Sequence, residues 1–225
     1  MNYELAIFDM DGTILDTLQD LHDTLNYVLG MHHFPLRTID ETRRFVGNGI
    51  RKLVERALPA GSDDATIDRV FASFKEYYKD HCAVATKPYD GITELLKELR
   101  EAGIKTAVVS NKADFAVQEL CETYFKGLFD CAVGEREGVR RKPSPDSVYA
   151  VLEKLAVAKE HAVYIGDSDV DLATAENAGL PCIAVTWGFR DRDFLEAHGA
   201  SEYAKEPMDI LKLLELDSSG SGIYR

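Results

Sequence analysis

Leu5-Ala6-Ile7-Phe8-Asp9-Met10-Asp11-Gly12-Thr13 joins four consecutive apolar residues directly to two carboxylates set one residue apart. A short, unbroken apolar run of this kind reads as a strand buried on both faces, the habit of parallel sheets. In open α/β sheets, ligands gather beyond the carboxyl ends of the strands, and Asp9 and Asp11 fall at such an end. Side chains two apart on extended backbone share a face, so both carboxylates can address one point. There they repel unless a cation or a proton lies between them. Gly12 permits a sharp turn and a close approach of backbone N–H groups to an anion. The same tetrapeptide also suits a plain solvated turn. A calcium loop fits poorly, because its glycine belongs at the sixth position and here stands at the fourth.

Outward from this run, two textures alternate. Residues 106–109, 131–133, 163–165 and 182–185 repeat the short apolar pattern. Amphipathic helical stretches lie between them: Ile92, Leu95, Leu96 and Leu99 share one face, as do Val148, Leu152 and Leu155. This alternation after residue 88 predicts a doubly wound α/β fold with a parallel, Rossmann-like sheet. Residues 17–86 break the rhythm. Leu18, Leu21, Leu25 and Val28 recur at helix spacing, as do Leu53, Val54, Ala57 and Leu58, and Ile67, Val70, Phe71 and Phe74. Thr38-Ile39-Asp40-Glu41 fits a capping box. The reading is therefore a core formed by residues 1–16 and 87–216, interrupted by a helical cap at 17–86. Lys87-Pro88-Tyr89-Asp90-Gly91 marks the return, and a Ser/Gly-rich tail at 217–225 carries no assigned role. Because the insertion leaves just after the acidic run, it should face that run and cover it.

Bulk properties narrow the function. The 225 residues are 45% hydrophobic, enough for a substantial core, and carry a net charge of −13. That balance argues against nucleic acid or an anionic membrane as a partner. It leaves small anionic substrates open, because a bound cation can invert the sign locally. The four cysteines (Cys82, Cys121, Cys131, Cys182) form no CxxC pair and read as reduced thiols of a cytoplasmic protein. No apolar run approaches a membrane span, and the oligomeric state is not readable.

A second acidic cluster, Gly166-Asp167-Ser168-Asp169-Val170-Asp171, also follows an apolar run. Carboxylates suit a helix N-terminus, but three at one strand end exceed what capping requires. Oxygen donors on two neighbouring strand ends suit Mg²⁺. Ser110-Asn111-Lys112 offers a hydroxyl and backbone N–H groups at an expected helix start. Lys142-Pro143-Ser144-Pro145 places a cation before another helix. Singly, the first is an ordinary helix cap and the second an ordinary surface lysine. Together, four polar elements stand where strands or loops should end.

In this combination the chain resembles the haloacid-dehalogenase-like hydrolase superfamily, over almost its whole length. The resemblance implies a sheet with the Asp9 strand central and a Mg²⁺-dependent phosphatase. Asp9 would be the nucleophile, forming an aspartyl-phosphate that water hydrolyses, and Asp11 would be the general acid and then base. Ser110 and Lys142, with Asn111, would bind the phosphoryl oxygens. Asp9, the Asp11 backbone carbonyl and Asp167 would hold Mg²⁺, with Asp171 behind them. Asp20-Leu21, the stretch from Arg44 to Gly49, Arg56-Ala57-Leu58 and Trp187-Gly188-Phe189 resemble the phosphoglycolate phosphatase-like subgroup. There Gly47, Asn48 and Gly49 would form a cap loop meeting a small phosphorylated metabolite, although the same residues suit a plain inter-helix turn. Leu21 stands where β-phosphoglucomutases carry His, which weakens a sugar phosphomutase reading. Asp11 disfavours dehalogenases and phosphonoacetaldehyde hydrolases. Pyrophosphatases and nucleotide phosphatases of the subgroup share every core motif and remain open.

Overall fold

A computed structural model describes residues 3–215, so the tail at 217–225 lies outside the described residues. Strand β1 (Leu5–Phe8) is followed by the two-residue β2 (Leu15–Asp16), then helices α1 (Leu18–Met31), α2 (Ile39–Phe45), α3 (Ile50–Ala57) and α4 (Asp64–His81). The chain returns through β3 (Lys87–Pro88), antiparallel to β2. It then alternates through α5 (Ile92–Glu101), β4 (Lys105–Ala113), α6 (Asp114–Tyr124), β5 (Cys131–Glu135), α7 (Asp146–Leu155), β6 (Ala162–Gly166), α8 (Asp169–Ala178) and β7 (Cys182–Val185). Last come α9 (Arg192–Ala197), β8 (Glu202–Ala204) and α10 (Asp209–Leu213).

The main sheet runs β5-β4-β1-β6-β7-β8, and every neighbouring pair is parallel. The chain lays strands outward from β1 on one side and then returns to its other side. β1 therefore stands at the point where strand order reverses, the place where doubly wound sheets open a ligand crevice. Its four residues are fully buried, and their alternation feeds two cores. Ala6 and Phe8 pack with α5 residues such as Leu95 and Leu99, while Leu5 and Ile7 pack with Val148 and Val151 of α7. Period-two side chains on a strand covered from both sides require this division.

The helices between β2 and β3 have an apolar core of their own, built around Leu25, Leu53, Val54, Val70 and Phe74. Its members carry the helical periodicities of the sequence. Thr38 and Glu41 form the expected reciprocal cap of α2. Phe189, from the segment after β7, inserts into this core and ties it to the sheet.

One local expectation is corrected. Ser110-Asn111-Lys112 does not begin a helix: β4 continues to Ala113, and α6 starts at Asp114. Pairing with β5 resumes at Ala113 after a register shift, so this backbone is held in extended form. The edge strand β8 and the β2–β3 ribbon carry no strand signal in the sequence. Among the described residues β8 pairs with β7 alone, and the ribbon has two residues per strand.

Candidate active site

β1 ends by handing Asp9 to the crevice, with the Asp9 N–H donating to the Ile165 carbonyl of β6 at 2.9 Å. The chain then coils on itself: the N–H groups of Thr13, Ile14 and Leu15 all donate to the Met10 carbonyl. Gly12 takes a φ of +89°, and a Cβ there would stand 2.3 Å from Asp167 Oδ2. Only glycine serves this position, for its conformation and for its lack of bulk. Asp167 follows β6, and Asp171 lies in the first turn of α8. Ser168 caps that helix, and its N–H and hydroxyl donate to Asp171 Oδ2 at 3.1 and 2.6 Å. Carboxylate oxygens of Asp9, Asp167 and Asp171 lie within 4.8 Å of one another, all on buried residues. From the loop before α7, Lys142 Nζ reaches Asp9 Oδ1 at 2.7 Å and Asp171 Oδ1 at 2.8 Å.

Three carboxylates thus crowd one buried space, and a single ammonium bridges two of them, Asp9 and Asp171. Burial first, and Asp171 next, push the Asp9 carboxyl up to about 7 against the pull of Lys142. Asp167 is raised well above the usual carboxylate range by burial, then by Asp171 and Asp9. Burial alone would lower the Lys142 ammonium, but the attraction of Asp171 and Asp9 outweighs it and holds the group well above its ordinary value. The residues fit a hard divalent cation: the donors are all oxygen, and negative charge is in excess. Asp171 has both oxygens engaged, by Lys142 and by Ser168. Asp167 accepts from the Phe189 N–H at 2.6 Å and, at 3.4 Å, from the Thr13 hydroxyl. Each ionised carboxylate has about four acceptor positions, so Asp9 and Asp167 keep the freer faces.

Residues 6–185 match the family described as haloacid dehalogenase-like hydrolase. The chain belongs to the haloacid dehalogenase-like hydrolase family. It is 34% identical over 204 residues to a phosphoglycolate phosphatase of Mesorhizobium japonicum, covering 87% of this chain and 88% of that protein. It is also 29% identical to an N-acetylmuramic acid 6-phosphate phosphatase of Pseudomonas aeruginosa, covering 96% of each. A crystal structure from Lactobacillus delbrueckii, assigned provisionally as a phosphoglycolate phosphatase, superposes with a TM-score of 0.91 at 39% identity. That match covers 95% of this chain and 99% of the other.

In this haloacid dehalogenase-like hydrolase, Asp9, Asp11, Ser110, Lys142 and Asp167 line one cavity of about 60 Å³, together with Gly47 and Gly49 from the helical insertion. Asn48 does not line it; its side chain accepts from Arg56 at 2.6 Å. Asn111 reaches the cavity wall but serves as a clamp. Its amide donates to the Lys142 carbonyl at 3.1 Å and its oxygen accepts from the Lys142 N–H at 2.9 Å. The Asn111 side chain thereby holds the lysine loop against β4. Trp187-Gly188-Phe189 acquires a local meaning. Trp187 Nε1 donates to the Thr13 carbonyl at 3.0 Å, and a Cβ on Gly188 would strike Asp167 at 2.3 Å.

The sequence reading assigned no role to Lys112, Tyr78 or Arg190. Lys112 Nζ donates to Asp11 Oδ1 at 2.9 Å and to the Tyr78 hydroxyl of α4 at 2.8 Å. Arg190 donates to the carbonyls of Arg43 and Val46 at the end of α2. A usable signal existed for Lys112, since on a strand it shares a face with Ser110. No spacing in the chain foretells Tyr78 or Arg190, whose partners lie across the gap between insertion and sheet.

Proposed function

We propose that this hydrolase is a Mg²⁺-dependent phosphatase of small phosphomonoesters, with 2-phosphoglycolate as its substrate. The observation that carries the reading is Asp9, buried at the sheet's reversal point with Lys142 2.7 Å from its carboxylate and Asp167 and Asp171 beside it. Asp9 would attack phosphorus while the ester oxygen departs, leaving an acyl phosphate on Asp9 that water then cleaves. Asp11, on the same coil of chain, would give its proton to the departing alcohol and later take one from the attacking water. Lys142 and Ser110 would bind the transferring phosphoryl oxygens, with Asn111 keeping Lys142 in place. Mg²⁺, held by Asp9, Asp167 and the Asp11 carbonyl with Asp171 behind them, would neutralise charge on the phosphoryl group.

Residues 17–86 would act as a cap over this site, with the rest of the described chain as the catalytic core. Cap movement about the β2–β3 ribbon would admit substrate and then exclude water. The cavity is far below the roughly 300 Å³ of pockets for drug-sized ligands, which supports a small ester. The named activity of the Mesorhizobium relative points the same way. The four cysteines are free, which supports a cytoplasmic setting. No helix of the described residues is long and apolar enough to cross a membrane.

The test is a panel of phosphorylated metabolites with Mg²⁺, including 2-phosphoglycolate, N-acetylmuramic acid 6-phosphate, pyrophosphate, nucleotides and a hexose 1-phosphate. The expected result is phosphate release with 2-phosphoglycolate preferred, and its loss in Asp9→Asn, which should remain folded. No turnover of any ester would overturn the enzyme reading, and a preference for pyrophosphate would overturn the substrate.

A further inference from the structure

Lys112 is an ammonium with almost no exposure, and its two polar partners come from opposite sides of the crevice. Asp11 belongs to the coil after β1, and Tyr78 to α4 of the insertion, 34 residues away in sequence. Tyr78 is itself buried in the insertion's apolar core, its ring against Phe74. Such a tyrosine needs a partner for its hydroxyl, and here Lys112 supplies it. A lysine on a strand could have turned its flexible stem elsewhere, since an ammonium on four methylenes has no preferred direction of its own. The Tyr78 hydroxyl, 2.8 Å from Nζ, holds the ammonium towards Asp11. Lys112 engages Asp11 through Oδ1, which leaves Oδ2 to carry a transferable proton.

We propose that Lys112 is a positioning residue which, held by Tyr78, fixes the Asp11 carboxyl for proton transfer only when the helical insertion is seated on the sheet. The inference rests on the phosphatase reading above. In the step concerned, a bond forms between Asp9 and phosphorus and the bond from phosphorus to the ester oxygen breaks. The proton on Asp11 Oδ2 passes to that oxygen, and Asp11 becomes the carboxylate paired with Lys112. If the insertion lifts, Tyr78 leaves, Lys112 loses its direction, and Asp11 no longer points at the ester oxygen. Proton donation is thereby tied to closure.

The leaving group tests this directly. An alkyl alkoxide needs the proton as it departs, whereas 4-nitrophenolate departs without it. The quantity to read is kcat/KM, which reports through transfer to Asp9 and is blind to the later hydrolysis. Tyr78→Phe keeps the ring and removes the hydroxyl; Lys112→Met keeps the stem and removes the charge. With Mg²⁺, Tyr78→Phe should lower kcat/KM for an alkyl phosphate about tenfold and Lys112→Met about a hundredfold, the scale of general acid catalysis. Both should leave 4-nitrophenyl phosphate within about threefold of the unaltered protein. Equal losses on both esters would overturn the inference and mark Lys112 as structural, and so would unchanged kinetics in Tyr78→Phe. A native protein that turns over neither ester would remove the phosphatase reading, and this inference with it.

Discussion

Lys142 is the residue whose loss should be felt most widely, because it is the one cation placed between Asp9 and Asp171. Removing a single partner from a buried charge cluster costs about 3–5 kcal/mol, since the remaining charges are left uncompensated. Uptake of a proton by a neighbouring carboxyl limits that cost. Lys142→Met keeps the stem packing, so a fall in stability would report the charge alone. Urea unfolding at about pH 8, where proton uptake helps least, should show a loss of about 3 kcal/mol, recovered in part by Mg²⁺. A loss below about 1 kcal/mol would mean the pairing is idle in the folded protein. Asn111 sets a smaller companion expectation: it holds the Lys142 backbone through two hydrogen bonds, so its replacement should shift the loop without removing the charge.

At the scale of elements, the junction between the helical insertion and the sheet is held by Asp20 of α1. Its buried carboxylate accepts from the N–H groups of Ala85 and Thr86 at 2.8 Å each and from the Thr86 hydroxyl at 2.7 Å. The Thr86 carbonyl in turn accepts from Tyr124 of α6. Asp20→Ala would strand two backbone donors, at about 1–3 kcal/mol each where they stay buried. We expect amide exchange at Ala85 and Thr86 to accelerate well before the sheet exchanges, with kcat for 2-phosphoglycolate falling as the insertion loses its seating. Unchanged exchange at those two amides would show that Asp20 is not what holds the junction. The sequence made the sheet legible because parallel strands buried on both faces must be apolar throughout, as Leu5–Phe8 and Cys182–Val185 are. It hid β8, whose Glu202-Tyr203-Ala204 has one partner strand and an exposed first residue. It misled at Ser110-Asn111-Lys112, where polar residues suggested a helix start but pairing with β5 kept the chain extended. Asp9 and Asp167 were readable because each follows its strand directly. The Lys112–Tyr78 contact was not, because it exists only once α4 is seated against β4.

The molecule as a whole carries thirteen more negative charges than positive, yet its proposed substrate is an anion. The fold offsets this by placing Lys112, Lys142 and Arg190 around the same cavity and by reserving an acidic cluster for a cation, which reverses the local field. The cluster also links metal, proton and stability. In the metal-free fold the Asp9 carboxyl sits at about 7, against 3.8 for its ordinary value, and Asp167 is shifted in the same direction. Between those limits the folded chain binds more protons than the unfolded one, so the stability of the metal-free protein should fall as pH rises through that window. Mg²⁺ competes for the same oxygens. It should therefore bind more weakly as pH drops from about 8 to about 6, and release more protons per ion bound at the lower pH. Its stabilising effect should be greatest above pH 7, where no proton has to be displaced from Asp9. Calorimetric titration of the metal-free protein with Mg²⁺, in two buffers of different ionisation enthalpy, reads both quantities at once. Proton release that does not grow on acidification would show that Asp9 and Asp167 are already ionised without metal. In that case Lys142, rather than a proton, balances the cluster, and Lys142→Met should then be the variant in which proton release first appears.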